Sequence, residues 1–286
     1  MRCRLVFSAV LVFVLLVPAV ASARAIVGIG DQHASSYQDA RMRALHLKTA
    51  RLALAWDWYT DPYALWQADT WMASVRAAHM RPLITFNRNW RRSGKRQIPS
   101  LKRYLTSFRT LRARYPDVHE FSPWNEPNAP EQPFYRKPKL AARYFNAMRS
   151  ACRRCTVLAG DINDGANMTG YLRIYKRYVR HATVWALHNY KDATRPRGTT
   201  RRFLRMVRGR VWLTETGGVR SRGGLKGQAA AIRRVFALAR SARRITRVYF
   251  YEWRQVRGSH WDSAFVSANG KRRPAYYALR AGLRHR

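Results

Sequence analysis

Phe121-Ser122-Pro123-Trp124-Asn125-Glu126-Pro127-Asn128 is the stretch from which the fold of this chain can be read. An apolar run from Val118 enters it. Pro127, with no N–H to give a ladder, closes it. Glu126 is thereby set at the C-terminal end of a strand, between an amide and a proline. Val211-Trp212-Leu213-Thr214-Glu215-Thr216-Gly217-Gly218 repeats the plan: an apolar run, a glutamate, then glycines. Glutamate is rare in the chain. Glu120, Glu126, Glu131, Glu215 and Glu252 are the only ones, and three of them stand at the ends of predicted strands.

Working outward, strand-like and helix-like runs alternate. Strands are expected over 26–30, 50–56, 82–86, 118–124, 156–160, 183–187, 210–214 and 245–251. Helices are expected over 36–47, 62–79, 99–115, 140–152, 168–179, 200–207, 228–241 and 274–283. Strands joined by helical crossovers are parallel. Eight such units predict an α/β chain folded as a single (β/α)8 TIM barrel over residues 24–286. An open doubly wound sheet would show a glycine-rich phosphate turn after its first strand. Gly28-Ile29-Gly30-Asp31 lacks the third glycine.

Residues 1–23 read as a secretory signal peptide: a basic start at Met1-Arg2-Cys3-Arg4, an apolar run to Val20, and Ala21-Ser22-Ala23 before Arg24. The run is short for a membrane span, and no later segment is apolar enough to cross a bilayer. The mature chain is expected to be soluble, and secreted or held in the cell envelope. The net charge of +40 is extreme. Such a field attracts nucleic acid, anionic lipid or acidic polysaccharide. The basic residues are spread over nearly every segment, however, and are overwhelmingly arginine, a bias that GC-rich coding also produces. An acidic glycan therefore stays open as a partner, while export opposes a nucleic acid. So high a charge also disfavours self-association and favours a monomer. Cys152-Arg153-Arg154-Cys155 fits a local disulfide in an exported protein. A redox pair or half a zinc site are the other readings, and the sequence context of a helix end favours the disulfide.

In a barrel of this kind the site is built from loops at the C-terminal ends of the strands. The residues there include Asn125, Glu126, His188, Tyr190, Glu215, Glu252 and Trp253. Two carboxyls facing one cleft are what cleavage of a glycosidic bond requires. Asn125-Glu126-Pro127 after the fourth strand, with Glu215 after the seventh, resembles clan A of the retaining glycoside hydrolases. That resemblance implies Glu126 as general acid/base and Glu215 as nucleophile, with no cofactor or metal. It implies further that Arg51 neighbours the nucleophile, that Asn125 meets the sugar 2-hydroxyl, and that His188 and Tyr190 hold the nucleophile or the sugar. Trp253 would floor the glycone subsite. Asn87 stands where the clan often has histidine, and the loop after it is unusually basic. An oligo- or polysaccharide is the expected substrate, with Glu126 expected to titrate high and Glu215 to stay charged. A non-catalytic exported barrel that binds an anionic polysaccharide is the alternative.

Overall fold

The computed structural model describes residues 25–89 and 97–284. The expected signal peptide lies outside them, as does most of the basic loop after the third strand. Nine segments form one parallel sheet: β1 (Ile26–Gly30), β2 (Thr49–Ala55), β3 (Arg81–Asn87), β4 (Glu120–Ser122), β5 (Thr156–Val157), β6 (Ala159–Asn163), β7 (Val184–His188), β8 (Arg210–Thr216) and β9 (Ile245–Tyr251). Their order is β5-β4-β3-β2-β1-β9-β8-β7-β6. The two ends of that order are one stretch of chain. β5 pairs with β4, β6 pairs with β7, and only Leu158 separates them. Leu158 itself donates to the Phe121 carbonyl at 2.8 Å. One bent stave thus closes the ring, and the nine segments make the eight staves of a (β/α)8 barrel.

The helices are α1 (Ala34–Gln38), α2 (Ala40–Arg43), α3 (Pro62–Ala77), α4 (Leu101–Arg114), α5 (Pro138–Ala151), α6 (Met168–Tyr178), α7 (Tyr190–Thr194), α8 (Thr199–Met206), α9 (Gly224–Ser241) and α10 (Pro274–Arg284). Local chemistry explains their starts. Asp61 caps α3 by accepting from the Tyr63 N–H, with Pro62 opening the first turn. Ser100 caps α4 through the Arg103 N–H. The helix expected over 36–47 is split, because the Asp39 carboxylate takes the Arg41 N–H and restarts the helix as α2. The helix expected over 228–241 begins earlier, at Gly224. Cys152 and Cys155 are joined as a disulfide just after α5. Among the described residues no helix is long and apolar enough to cross a membrane.

Strand alternation sorts the side chains into two sets. Those pointing out, such as Ile29, Leu52, Phe86, Phe121, Leu187 and Phe250, belong to the main core between sheet and helices. Those pointing in fill the barrel from below. Leu83, Leu158, Val184, Ala186, Trp212 and Tyr249 form a separate apolar cluster. Gly28 points the same way, where a Cβ would lie 2.1 Å from the Thr49 carbonyl oxygen. The next residues upward with the same parity are Arg51 on β2, Thr85 on β3, His188 on β7 and Thr214 on β8. A polar layer therefore sits on an apolar floor.

β6 breaks the count. Leu158 belongs to the interior cluster, and Ala159 and Ile162 to the outer core. Regular alternation would turn Asp161 outward. The register shifts between Ala159 and Ile162, and Gly160 takes a φ of +76° that a side chain would resist. The extra residue turns Asp161 into the barrel, and Asn163 follows it on the same side.

Candidate active site

Arg51 is the centre of the polar layer. It is 2 % exposed, and its guanidinium donates in three directions. Nη1 reaches Glu215 Oε2 at 3.0 Å; Nη2 reaches Asn125 Oδ1 at 2.6 Å and Asp161 Oδ2 at 2.9 Å. Asp161 is fully buried and takes two more donors, Thr85 Oγ1 at 3.0 Å and Thr214 Oγ1 at 2.7 Å. A buried charge survives only when paired and hydrogen-bonded, and here each charge has the other. Burial opposes the charge on Arg51, but Asp161, Glu215 and Glu126 together hold it protonated.

His188 ends β7 and is fully buried. Its Nδ1 lies 2.8 Å from Glu126 Oε1 and 3.7 Å from Glu215 Oε2. Its Nε2 lies 3.8 Å from Asp161 Oδ1 and 3.4 Å from Arg51 Nη2. The two glutamates brought together here are the pair that the strand ends single out. Their nearer oxygens can be no further apart than the sum of the two Nδ1 distances. Both carboxylates therefore lie against one imidazole nitrogen.

Each glutamate has a second support. Asn163 Nδ2 donates to Glu126 Oε1 at 2.8 Å. Asn163 is fixed in turn by Asn128, whose amide accepts from the Asn163 N–H and donates to its carbonyl, both at 2.8 Å. Glu126 itself sits at φ +43°, a left-handed turn that carries its side chain back toward β6. Glu215 Oε1 accepts from the Tyr190 hydroxyl at 3.0 Å. Tyr190 is buried, and its ring meets the Trp261 indole edge-on at 4.7 Å.

These groups border a cavity of ≈ 530 Å³ whose walls include Gln32, Asn87, Asn125, Glu126, Tyr190, Glu215, Tyr251, Glu252 and Trp261. Burial raises the Glu126 carboxyl, but the hydrogen bond and charge of His188, the Asn163 amide and Arg51 outweigh it and hold Glu126 below its ordinary value. His188 is the reverse case. Burial lowers it, while Glu215, Glu126 and Asp161 raise it further, to above the ordinary value. The pair thus shifts toward the carboxylate on Glu126 and the imidazolium on His188, against the expectation that Glu126 titrates high. The raised carboxyls of the cavity are Glu252, pushed up to about 8 by burial and by Asp31 and Asp262, and Asp164, pushed up to about 6 by burial.

Arg51, Asn125, His188 and Tyr190 therefore all converge on the two glutamates. His188 and Tyr190 touch the carboxylates themselves. Trp253 does not join them. It is fully buried in the outer core against Phe265 and Tyr276. Asp31 takes its backbone N–H at 2.8 Å and Asp39 its indole N–H at 3.0 Å, which turns the ring away from the cleft. The aromatic walls are Tyr251 and Trp261 instead. Parity along β9, where Tyr249 points in, marks Tyr251 as inward. Nothing local marks Trp261, which lies in the loop after β9. Asp161 follows an expected strand end, but neither it nor Asn163 carries an assigned role in the sequence reading; the bulge at Gly160 brings both to the inside.

No protein-family model matches the chain, and no curated protein matches it by sequence. Solved structures do match in shape. A family 39 glycoside hydrolase from the gut symbiont Bacteroides cellulosilyticus superposes with a TM-score of 0.65 at 16 % identity, over 92 % of this chain and 64 % of that one. A GH5_18 protein from Streptomyces cattleya in complex with GlcNAc gives 0.67 at 15 % identity, covering 92 % and 80 %. Xylanase 10B from Thermotoga maritima gives 0.63 at 13 % identity, covering 92 % and 96 %. The barrel is the one these clan A glycoside hydrolases are built on. The chain spans just under two thirds of the Bacteroides protein and nearly all of the Thermotoga one.

Proposed function

We propose that this chain is a retaining glycoside hydrolase that cleaves a β-linked glycan by double displacement. The observation that carries the reading is the convergence of Glu126 and Glu215 on one imidazole nitrogen, over a buried arginine and at the mouth of the barrel. Glu215 Oε attacks the anomeric carbon, and the bond from that carbon to the leaving oxygen breaks. The leaving oxygen takes the proton shared by Glu126 and His188. Water then enters, gives a proton to Glu126 and displaces the Glu215 carboxylate. Arg51 and Tyr190 stabilise the Glu215 carboxylate both before attack and as it leaves. Asn125 has its carbonyl committed to Arg51, so its amide N–H groups are left for the sugar 2-hydroxyl. The matching folds, drawn from xylan- and GlcNAc-related proteins, support a carbohydrate substrate. The +40 charge favours a glycan that carries acidic groups.

Residues 1–23 support an exported enzyme, and the high net charge supports a monomer. Cleavage before Arg24, read by mass spectrometry of the protein from culture medium or cell envelope, tests the export.

The test of the chemistry is hydrolysis of aryl β-glycosides and β-glucans, xylans and mannans by the mature protein, with product anomers read by NMR. The β-anomer should form first. Glu215→Gln should abolish turnover. Glu126→Gln should slow poor leaving groups by about 10²–10⁴ and good ones less. First release of the α-anomer, or turnover that survives Glu215→Gln, would refute the mechanism. Silence on every substrate, with salt-sensitive binding to acidic polysaccharides, would support a non-catalytic binder.

A further inference from the structure

The cleft does not end at Trp261. A second cavity, of ≈ 340 Å³, is lined by Lys191, Thr194, Arg195, Arg197 and Arg222, and it shares Lys191 and Arg222 with the catalytic one. Among the described residues no acidic side chain lines it. Cations are common on this surface, so composition alone means little. Three features distinguish this place.

The first is continuity. Tyr190, the donor to Glu215, touches Trp261, and the Arg222 guanidinium stands over the same indole, 5.8 Å from its centroid. A chain of contacts runs from the nucleophile to the basic groove with no break. The second is an aromatic platform. Trp261 is held by its N–H bond to Ser263 Oγ at 2.9 Å and presents a flat face beside a cation. A sugar ring lies on such a face while a guanidinium fork reaches an anion in its plane.

The third is rigidity. The carboxylates of this segment, Asp164 and Asp192, are spent on the loop itself. Asp164 accepts from the Lys191 and Asp192 N–H groups and from Thr199 Oγ1. Asp192 accepts from the N–H groups of Arg197, Thr199 and Thr200. Both anions fix the backbone, and neither forms an ion pair with Lys191, Arg195, Arg197 or Arg222. The loop is pre-organised, and its cations are free for a partner.

We propose that this groove is a subsite for a sugar unit bearing a carboxylate or sulfate, placed next to the reacting sugar. Lys191 and Arg222 would meet the unit nearest Trp261, and Arg195 and Arg197 the anion of the unit beyond. The substrate class that follows is an acidic glycan, either a uronate-bearing or a sulfated one. The proposal builds on the hydrolase reading by naming its substrate, but the groove is testable without turnover.

The test is calorimetric titration of the mature protein with three probes of equal length: a neutral oligosaccharide, an oligouronate and an O-sulfated oligosaccharide. At low salt an acidic probe should bind at least about tenfold more tightly than the neutral one, the scale of one or two charge-assisted contacts. Which of the two binds tighter identifies the anion. Arg195→Gln/Arg222→Gln should lower the acidic-to-neutral affinity ratio about tenfold. Arg153→Gln/Arg154→Gln removes the same charge from the exposed loop leading into β5, at the opposite end of the barrel, and should leave the ratio unchanged. Equal binding of acidic and neutral probes would overturn the proposal. So would an acidic preference lowered equally by both double variants, since that would be the net charge acting at large. Anion-selective binding by a protein that cleaves no glycoside would keep the groove and remove the hydrolase reading. Hydrolysis without anion preference would do the opposite.

Discussion

Replacing Arg51 by methionine tests the reasoning behind the site most severely. The guanidinium is 2 % exposed and joins Asp161, Glu215 and Asn125. Methionine fills much of its volume and returns none of its charge. Asp161, fully buried, would keep its two threonine donors but lose its counter-ion. Removing one partner of a buried pair costs about 3–5 kcal/mol, because the other charge stays behind. For a domain of this size each kcal/mol moves the midpoint by about 2–4 °C, so the variant should melt roughly 6–20 °C lower at pH 7. The loss has a pH signature. Unpaired buried carboxylates take up protons, so the deficit should shrink toward pH 4. Adding Asp161→Asn should recover part of it at pH 7, because the stranded charge is then gone. Thermal melts of the parent, Arg51→Met and the double variant at pH 4 and 7 decide the matter. A midpoint within 2 °C of the parent at pH 7 would refute the reasoning, as would a deficit equal at both pH values.

Glu252 should make the parent less stable as pH rises. Its folded-state value is near 8 while an unfolded glutamate titrates near 4.3, so between those values the native state holds a proton that the unfolded state lacks. Glu252→Gln should flatten that decline and raise the melting point at pH 8 more than at pH 5. His188 and Glu126 bracket the stability from either side. His188, raised, contributes fully below about pH 6.5, and its contribution is lost as pH rises through its folded value. Glu126, lowered, contributes above about pH 4.3 and loses its share as pH falls. His188→Asn should remove the high-pH part of this, seen in melts from pH 5 to 9. Tyr190→Phe keeps the ring contact with Trp261 and deletes one donor to Glu215. It should lower kcat by about 10–100-fold, the scale of a hydrogen bond to a charged group, with little change in melting point.

Much of the architecture is written in short-range pattern. Pro127 after an apolar run, and glycines after another, place Glu126 and Glu215 at strand ends without any tertiary information. Eight alternations of period-two and helical runs then imply a parallel barrel, since parallel strands need crossovers. Arg51, His188, Thr85 and Thr214 share the inward parity of their strands. Arg51, His188, Asn125 and Tyr190 are legible as site residues through the resemblance that the strand-end motifs carry, and the parity of the first two agrees with it.

What only the folded chain decided depends on departures from that regularity and on charges distant in sequence. One extra residue at Gly160 reverses the parity of its strand, so Asp161 becomes the anchor of Arg51 and Asn163 the support of Glu126. The carboxylates of Asp31 and Asp39 draw Trp253 into the core, and Trp261, from a loop with no period at all, takes the aromatic place in the cleft. Glu126 is held below its ordinary value because an imidazole 62 residues further along the chain lies 2.8 Å away. Burial alone would have pushed that carboxyl the other way. Alternation and caps act between neighbours and can be counted along a sequence. The titration of a buried carboxyl is set by every charge within a few ångströms, and those charges become neighbours only when the barrel closes.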